Sequence, residues 1–179
     1  MAVDKQARST CLSMRFEQTP PRPAPQPHPL SSRRERQEKM SEIAIREYVP
    51  EKSHEDADLL LPEFLAIWNE PENLRFLSFT GKPFDEGVVR AWFLNHLSLG
   101  VHYYAAVGRD KGISGIVVVK NNPIEAFEIF GVGVRPVLKR QGVGMRLLEH
   151  IVSVAAGHGF KAIDAVVFAD NVAMLCLLL

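Results

Sequence analysis

Two cysteines, Cys11 and Cys176, are all that the 179 residues contain. Far apart and in unlike surroundings, they exclude a disulfide framework and a zinc site built from several thiolates, and they fit a reducing compartment. No run reaches the roughly 18 apolar residues that a membrane helix needs, and the N-terminus lacks the apolar centre of a secretory signal. The expectation is a cytoplasmic protein with no membrane partner. Neither sign of charge is in excess, with 21 Lys and Arg against 21 Asp and Glu, so no net field favours nucleic acid or an anionic surface. What the chain does have is 46% hydrophobic residues. At this length that suffices for one core and hardly for two.

Proline and charge are unevenly spread. Residues 1–40 hold six of the twelve prolines, eight Lys or Arg and only four Asp or Glu. The run from Thr19 to Pro29 cannot donate a continuous backbone ladder and favours solvated polyproline II conformations. Residues 1–40 are therefore expected to form a disordered Pro/Arg-rich tail. An extension upstream of a start at Met40 is the first reading, and a docking arm or organelle leader the second. Asp4, Glu17, Glu35 and Glu38 weigh against a leader, which should be poor in acids.

From Ser41 the pattern is that of a single domain, residues 41–179. Ile43, Ile45 and Tyr48 alternate with polar neighbours and predict a half-buried strand. His54 to Trp68 carries Ala57, Leu60, Leu61, Phe64, Leu65 and Trp68 at helical spacing, with Pro62 expected to kink or split the helix. A second helix is predicted over Asp85 to Leu99, stopped by Gly100. Val101 to Val107 and Ile113 to Lys120 read as a hairpin, and Ala126 to Val134 as the next strand. A helix from about Gly144 to Ala156, a buried strand from Ala162 to Phe168 and a helix beginning at Asn171 complete the order β-α-α-β-β-β-α-β-α.

The stretch from Phe130 to Leu148 carries the chemistry. A strand runs into a basic loop, Gly142 and Gly144 stand one residue apart, and an amphipathic helix follows at once. Such glycines admit positive φ and let a ligand reach bare backbone, while the first helix amides point outward unpaired and favour an anion. Pyrophosphate suits the place, with Lys139, Arg140 and Arg146 adding positive field. A dinucleotide fingerprint lacks its third glycine here, and Gly81-Lys82-Pro83 lacks the Ser or Thr of a P-loop. A plain tight turn is the remaining alternative.

Val134-Arg135-Pro136, then Lys139-Arg140-Gln141-Gly142-Val143-Gly144 and Leu147-Leu148, resemble motif A of the GNAT superfamily of N-acetyltransferases, usually written Arg/Gln-x-x-Gly-x-Gly/Ala. Lys139 stands where the family prefers Arg or Gln. The resemblance extends over the element order from about Ile43 to Leu179. It implies an α/β (α+β) fold, a mixed, mostly antiparallel central sheet flanked by helices, with a V-shaped slot for the pantetheine arm of acetyl-CoA. It further implies main-chain contacts from Val132, Gly133 and Val134, phosphate binding by Lys139, Arg140, Gln141, Gly142, Val143 and Gly144, and a cofactor contact from Asn171. The cosubstrate would be acetyl-CoA, with no metal. One amide of the strand would polarise the acetyl carbonyl.

Transfer to an amine needs a base, and Glu128, within Phe127-Glu128-Ile129-Phe130, is the candidate. It lies fourteen residues before Gly142, a placement that resembles that of the glutamate in histone-acetylating members. A solvent-facing strand glutamate is the alternative. The tyrosine that the family often places seven residues after the asparagine is replaced by Leu178, leaving Tyr103 and Tyr104 as fallback donors and otherwise packing residues. His102, His150 and His158 read as structural or solvated, and Cys176 as a small core residue. Arg75, Phe76, Phe79 and Trp92 fall in the region that shapes the acceptor site of this family.

The reading is an enzyme that moves an acetyl group from acetyl-CoA directly to a primary amine of a small molecule or protein. The alternative is a non-catalytic acyl-CoA-binding module or sensor. A homodimer is left open. The resemblance also leads one to expect two more strands after the last helix. Without them the strand Ala162 to Phe168 would present an open edge, the run Met174 to Leu179 would lack cover, and the chain would be a truncated form leaning on association.

Overall fold

The computed structural model describes residues 9–15, 43–122 and 126–178. In chain order the elements are β1 (Ser9–Arg15), β2 (Ala44–Tyr48), α1 (His54–Trp68), α2 (Pro71–Leu77), α3 (Glu86–Asn95), β3 (Val101–Val107), β4 (Ile113–Asn122), β5 (Ala126–Val134), α4 (Val143–Gly157), β6 (Ala162–Phe168) and α5 (Val172–Leu178). The strands form one sheet ordered β1-β6-β5-β4-β3-β2. Every neighbouring pair is antiparallel except β5 and β6. The expected mixed, mostly antiparallel sheet with helices on its faces is present.

Local chemistry sets the helix limits. Ser53 caps α1 by accepting a hydrogen bond from the Asp56 amide at 3.1 Å, and Asp85 caps α3 by accepting from the Gly87 and Val88 amides. Pro62 neither splits nor ends α1, which runs unbroken from His54 to Trp68. Its missing amide is tolerated because Leu60, Leu61, Phe64 and Ile67 on the same helix are nearly or fully buried, so packing outweighs one lost bond. α3 is shorter than expected. It stops at Asn95, and the chain turns through Gly100 at φ 67°, where the Val101 amide donates to His96 O.

Alternation along β4 sends Val117 and Val119 to one face and Ile116 and Val118 to the other, and all four are buried. On the first face α4 packs Leu147, Leu148 and Ile151 against Phe127, Ile129, Ile163 and Ala165. On the second, α1 and α3 cover Tyr103, Ile116 and Val118 with Leu60, Phe64, Ile67 and Phe93.

Four expectations change. Ser9–Arg15 lies within the stretch expected to be disordered, yet it forms β1 and pairs antiparallel along the whole of β6, from Ser9 opposite Phe168 to Arg15 opposite Ala162. The proline-rich centre of the tail lies outside the described residues. The outer edge of β6 is consequently paired rather than open. The segment between the first two predicted helices is itself helical: α2 starts on Pro71, whose fixed φ and absent amide suit a first helical position. Met174, Leu175 and Leu177 of α5 pack against the α4 side of the core, and Leu178 is buried in it.

Candidate active site

The parallel pairing of β5 with β6 covers only Phe127 with Ile163, Glu128 with Asp164 and Ile129 with Ala165. Beyond it the two strands separate. The cause is visible on the other side of β5: Val118 faces Gly131 while Val119 faces Ile129, so Phe130 is an extra residue in the ladder. A bulge of this kind bends the strand that carries it. A wedge-shaped cavity of about 960 Å³ occupies the gap, walled by Ile129 to Val132 of β5 and Ala165 to Phe168 of β6. The first turn of α4 closes one end, and residues of α2 and α5 line its sides. On β5, amides past Ile129 that point away from β4 have lost their β6 partners and face this space.

At the α4 end, Gly142 takes φ 86° and serves as the N-cap without a side-chain bond, and Arg140 takes φ 61°. Only a residue without Cβ adopts the first conformation at no steric cost. The amides of Val143, Gly144 and Met145 have no intrahelical acceptor, as in any first turn, and the helix dipole places partial positive charge there. Gly144 meets Leu177 of α5, where an added Cβ would lie 3.2 Å from Leu177 Cδ1. This loop therefore presents unpaired helix amides and is also tied to the last helix.

Of the residues singled out in the sequence, Val132, Val134, Lys139, Arg140, Gly142, Gly144 and Asn171 line the wedge. Lys139 Nζ donates to Glu72 Oε2 of α2 at 2.8 Å, and that bond holds the Glu72 carboxyl below its ordinary value. Asn171 Oδ1 accepts from the Met174 amide at 3.1 Å and caps α5. Three others do not reach the cavity wall. Gly133 lies beneath α1, where a Cβ would stand 2.7 Å from Ile67 Cγ2 and 3.0 Å from Trp68 Cζ3. Gln141 Nε2 turns back to donate to Val137 O at 2.8 Å, and the Val143 side chain is buried in the core.

Glu128 is half-buried, with Lys120 opposite it on β4 and Asp164 on β6. Its neighbours Phe127 and Ile129 face α4, so alternation puts Glu128 on the opposite face of the sheet, two residues before the bulge. It lines neither that wedge nor the smaller cavity of about 250 Å³ found on its own face.

Tyr103 is buried in an aromatic cluster on that face, and burial pushes its hydroxyl pKa up. Tyr104 points to the α4 side against the His150 ring, its pKa raised to about 12 by burial first and by Glu47 second. Burial also lowers the pKa of His150. His102 Nδ1 lies 3.0 Å from Glu47 Oε1, and His158 is the exposed C-cap of α4. Cys176, expected in the core, is exposed on α5 beside the wedge. The apolar run around it suggests burial, but a helix turns neighbours of one run to different sides.

Two residues that gave no signal in the sequence matter here. Asn73 is buried and donates from Nδ2 to Ile67 O at 2.8 Å and to Val134 O at 3.0 Å, tying α2 to the end of β5 beside the wedge. His96, 1% exposed, has Nδ1 2.8 Å from Val101 O and accepts from the Glu51 amide through Nε2 at 3.3 Å. With Nε2 accepting, the ring is neutral and carries its proton on Nδ1. Asn73 becomes conspicuous only once the segment after Pro71 is recognised as a helix.

A family model described as the acetyltransferase (GNAT) family matches residues 38–177. Among solved structures, the chain is similar to a ribosomal-protein-alanine N-acetyltransferase from Brucella melitensis, at 22% identity and TM-score 0.59, covering 75% of this chain and 80% of that one. It is likewise similar to an N-acetyltransferase from Staphylococcus aureus Mu50, at 20% identity and TM-score 0.60, covering 75% and 79%. The GNAT domain of an S. lividans protein aligns at 20% identity and TM-score 0.60, covering 75% and 77%. At these identities the likeness is one of fold. No curated protein sequence matches the chain closely enough to add to them.

Proposed function

The chain belongs to the GNAT family of acetyltransferases, and from that premise we propose that it transfers an acetyl group from acetyl-CoA directly to a primary amine. The observation that carries the proposal is the wedge between the diverging strands β5 and β6, which ends at the unpaired amides of α4. Its walls are largely apolar, including Ile129, Val132, Val166 and Leu177, and suit an extended pantetheine arm. Gly142, Val143 and Gly144 would hold the pyrophosphate through main-chain amides, with Lys139 and Arg140 as nearby cations and Gln141 bracing the turn. Val132, Gly133 and Val134 would present main chain to the thioester end, and Asn171 would contact the arm through its remaining amide group. Polarisation of the carbonyl by a fixed amide stabilises the charge that develops on oxygen during attack. Glu128, on the face from which an amine would approach, would take the amine proton directly or through water.

A second reading, a non-catalytic acyl-CoA sensor, draws on Leu178, which stands buried where the resemblance leads one to expect a tyrosine proton donor. Calorimetry with CoA, followed by thiol release across a panel of amines, separates the two: tight CoA binding without release from any amine favours the sensor. The wedge assignment itself is tested by Gly142→Asp. This variant places a Cβ at φ 86° and a negative charge among the helix amides, and is expected to weaken CoA binding at least ~100-fold, about 2.7 kcal/mol. Unchanged affinity in a folded variant would reduce the loop to a turn.

A further inference from the structure

The smaller cavity, about 250 Å³, lies between the sheet and helices α1 and α3. Six aromatic side chains line it: Phe64, Trp68, Phe84, Trp92, Tyr103 and Phe130. All but Phe130 are joined by ring contacts. Phe64 stacks on Trp68 at 4.3 Å between ring centroids and meets Phe84 and Tyr103 edge-on, while Phe84 meets Trp92 edge-on at 5.8 Å. No Asp, Glu, Lys or Arg lines it. The one titratable side chain there besides Tyr103 is His96, and both its ring nitrogens are engaged by Val101 O and the Glu51 amide. A charged guest would lose its hydration there and find no partner, whereas a flat apolar group finds rings on several sides. The volume falls below the ~300–1,000 Å³ of a site for a whole drug-sized ligand, so it fits one ring-bearing arm.

The position of this cavity gives it a role. Leu77 and Phe130 line both it and the wedge, and Phe130 is the bulge residue at which β5 leaves β6. A group seated among the rings therefore has its free end at the place where the two cavities meet, beside the β5 main chain. Resting on the reading of the wedge as the acetyl-CoA site, we infer that this aromatic cavity is the acceptor pocket and that the acceptor is a primary amine joined through a short linker to an aryl group. The ring occupies the cavity and the amine points past Phe130. In the reaction the amine nitrogen bonds to the acetyl carbon and the bond from that carbon to the CoA sulfur breaks. The nitrogen gives up one proton to Glu128, directly or through water, and the sulfur takes one up from solvent. Cationic chains such as polyamines or lysine side chains are the acceptors that this lining disfavours.

Trp68 and Trp92 are the only tryptophans in the chain, and both line this cavity, so their fluorescence reports its occupancy independently of acetyl-CoA. Phenethylamine is expected to change the emission saturably, and 1,5-diaminopentane is not. In thiol-release assays phenethylamine should have a KM at least tenfold below that of the diamine. Trp92→Ala, at a position 39% exposed where loss of the ring does not threaten the fold, should raise the phenethylamine KM at least tenfold and leave the Kd for CoA unchanged. An unresponsive emission, a diamine used as well as phenethylamine, or a KM indifferent to Trp92→Ala would overturn the inference. CoA binding by calorimetry keeps the two readings apart. Binding with the wrong amine preference sinks the aryl pocket alone, whereas absence of CoA binding sinks the wedge and this inference with it.

Discussion

At Glu128 the strand pattern alone sets a single residue's place in the sheet. Its position on the face opposite α4 follows from alternation, and its half-buried state follows from the cross-strand neighbours Lys120 and Asp164. A carboxylate so placed can serve a substrate amine only through the free end of that face. Replacing Glu128 by Gln keeps size and hydrogen bonding and removes the base. Turnover is expected to fall ~100-fold or more, within the range of general base catalysis, most severely at low pH, where loss of the amine proton limits the rate. The Kd for acetyl-CoA should stay unchanged, because the residue lies outside the wedge. An unaltered pH–rate profile would move the role elsewhere. Gly133 is the contrasting case: the space above its Cα is filled by Ile67 and Trp68 of α1, which leaves its main chain as the part that a ligand could meet.

Among the elements, β1 alters the picture most. Its seven residues pair with all seven of β6 and take up the ladder groups that an edge strand would present to another chain. Removing residues 1–15 exposes that edge. If the lost ladder is worth about 2 kcal/mol net, at roughly 0.5–1.5 kcal/mol per bond less the entropy of ordering the segment, Tm should fall by roughly 4–8 °C for a chain of this length. Self-association should rise together with the fall. Thermal unfolding and light scattering of the shortened protein check both effects, and an unchanged Tm in a monodisperse sample would mean that β1 contributes nothing to the sheet. Ser9–Arg15 has no clean alternation of its own, so its strand state rests on a partner more than 140 residues away.

At the scale of the molecule, α2 spans the wedge. Glu72 bonds Lys139 on the α4 side, and Arg75 reaches Asp170 at 2.5 Å on the β6 side. These are exposed pairs, worth little individually, but Lys139 is one of the cations on which a phosphate would draw. Glu72→Gln is therefore expected to raise CoA affinity roughly two- to fivefold at low salt, the modest effect of removing an exposed pair. The gain should shrink at high salt. The pH dependence follows from the lowered pKa of Glu72. The carboxylate competes for Lys139 at neutral pH, and the parent approaches the variant only as pH falls through that lowered value. Calorimetric titrations of both proteins against CoA at two ionic strengths decide it, and equal affinities would show that Glu72 does not compete.

The helix stripes, the β4 and β5 runs and the glycine turn before α4 were all legible in the sequence, because each is set by local periodicity or by a conformation that only particular residues adopt. The turn also carried the family, since its spacing is a local property of the chain. The family resemblance implied a slot between strands, but the residue at which β5 bulges, Phe130, and the meeting of two cavities at Leu77 and Phe130 were decided only by tertiary structure. So was the pairing of β1. Each depends on which strands become neighbours and in what register, and residues far apart in the chain settle this by burying their apolar faces together.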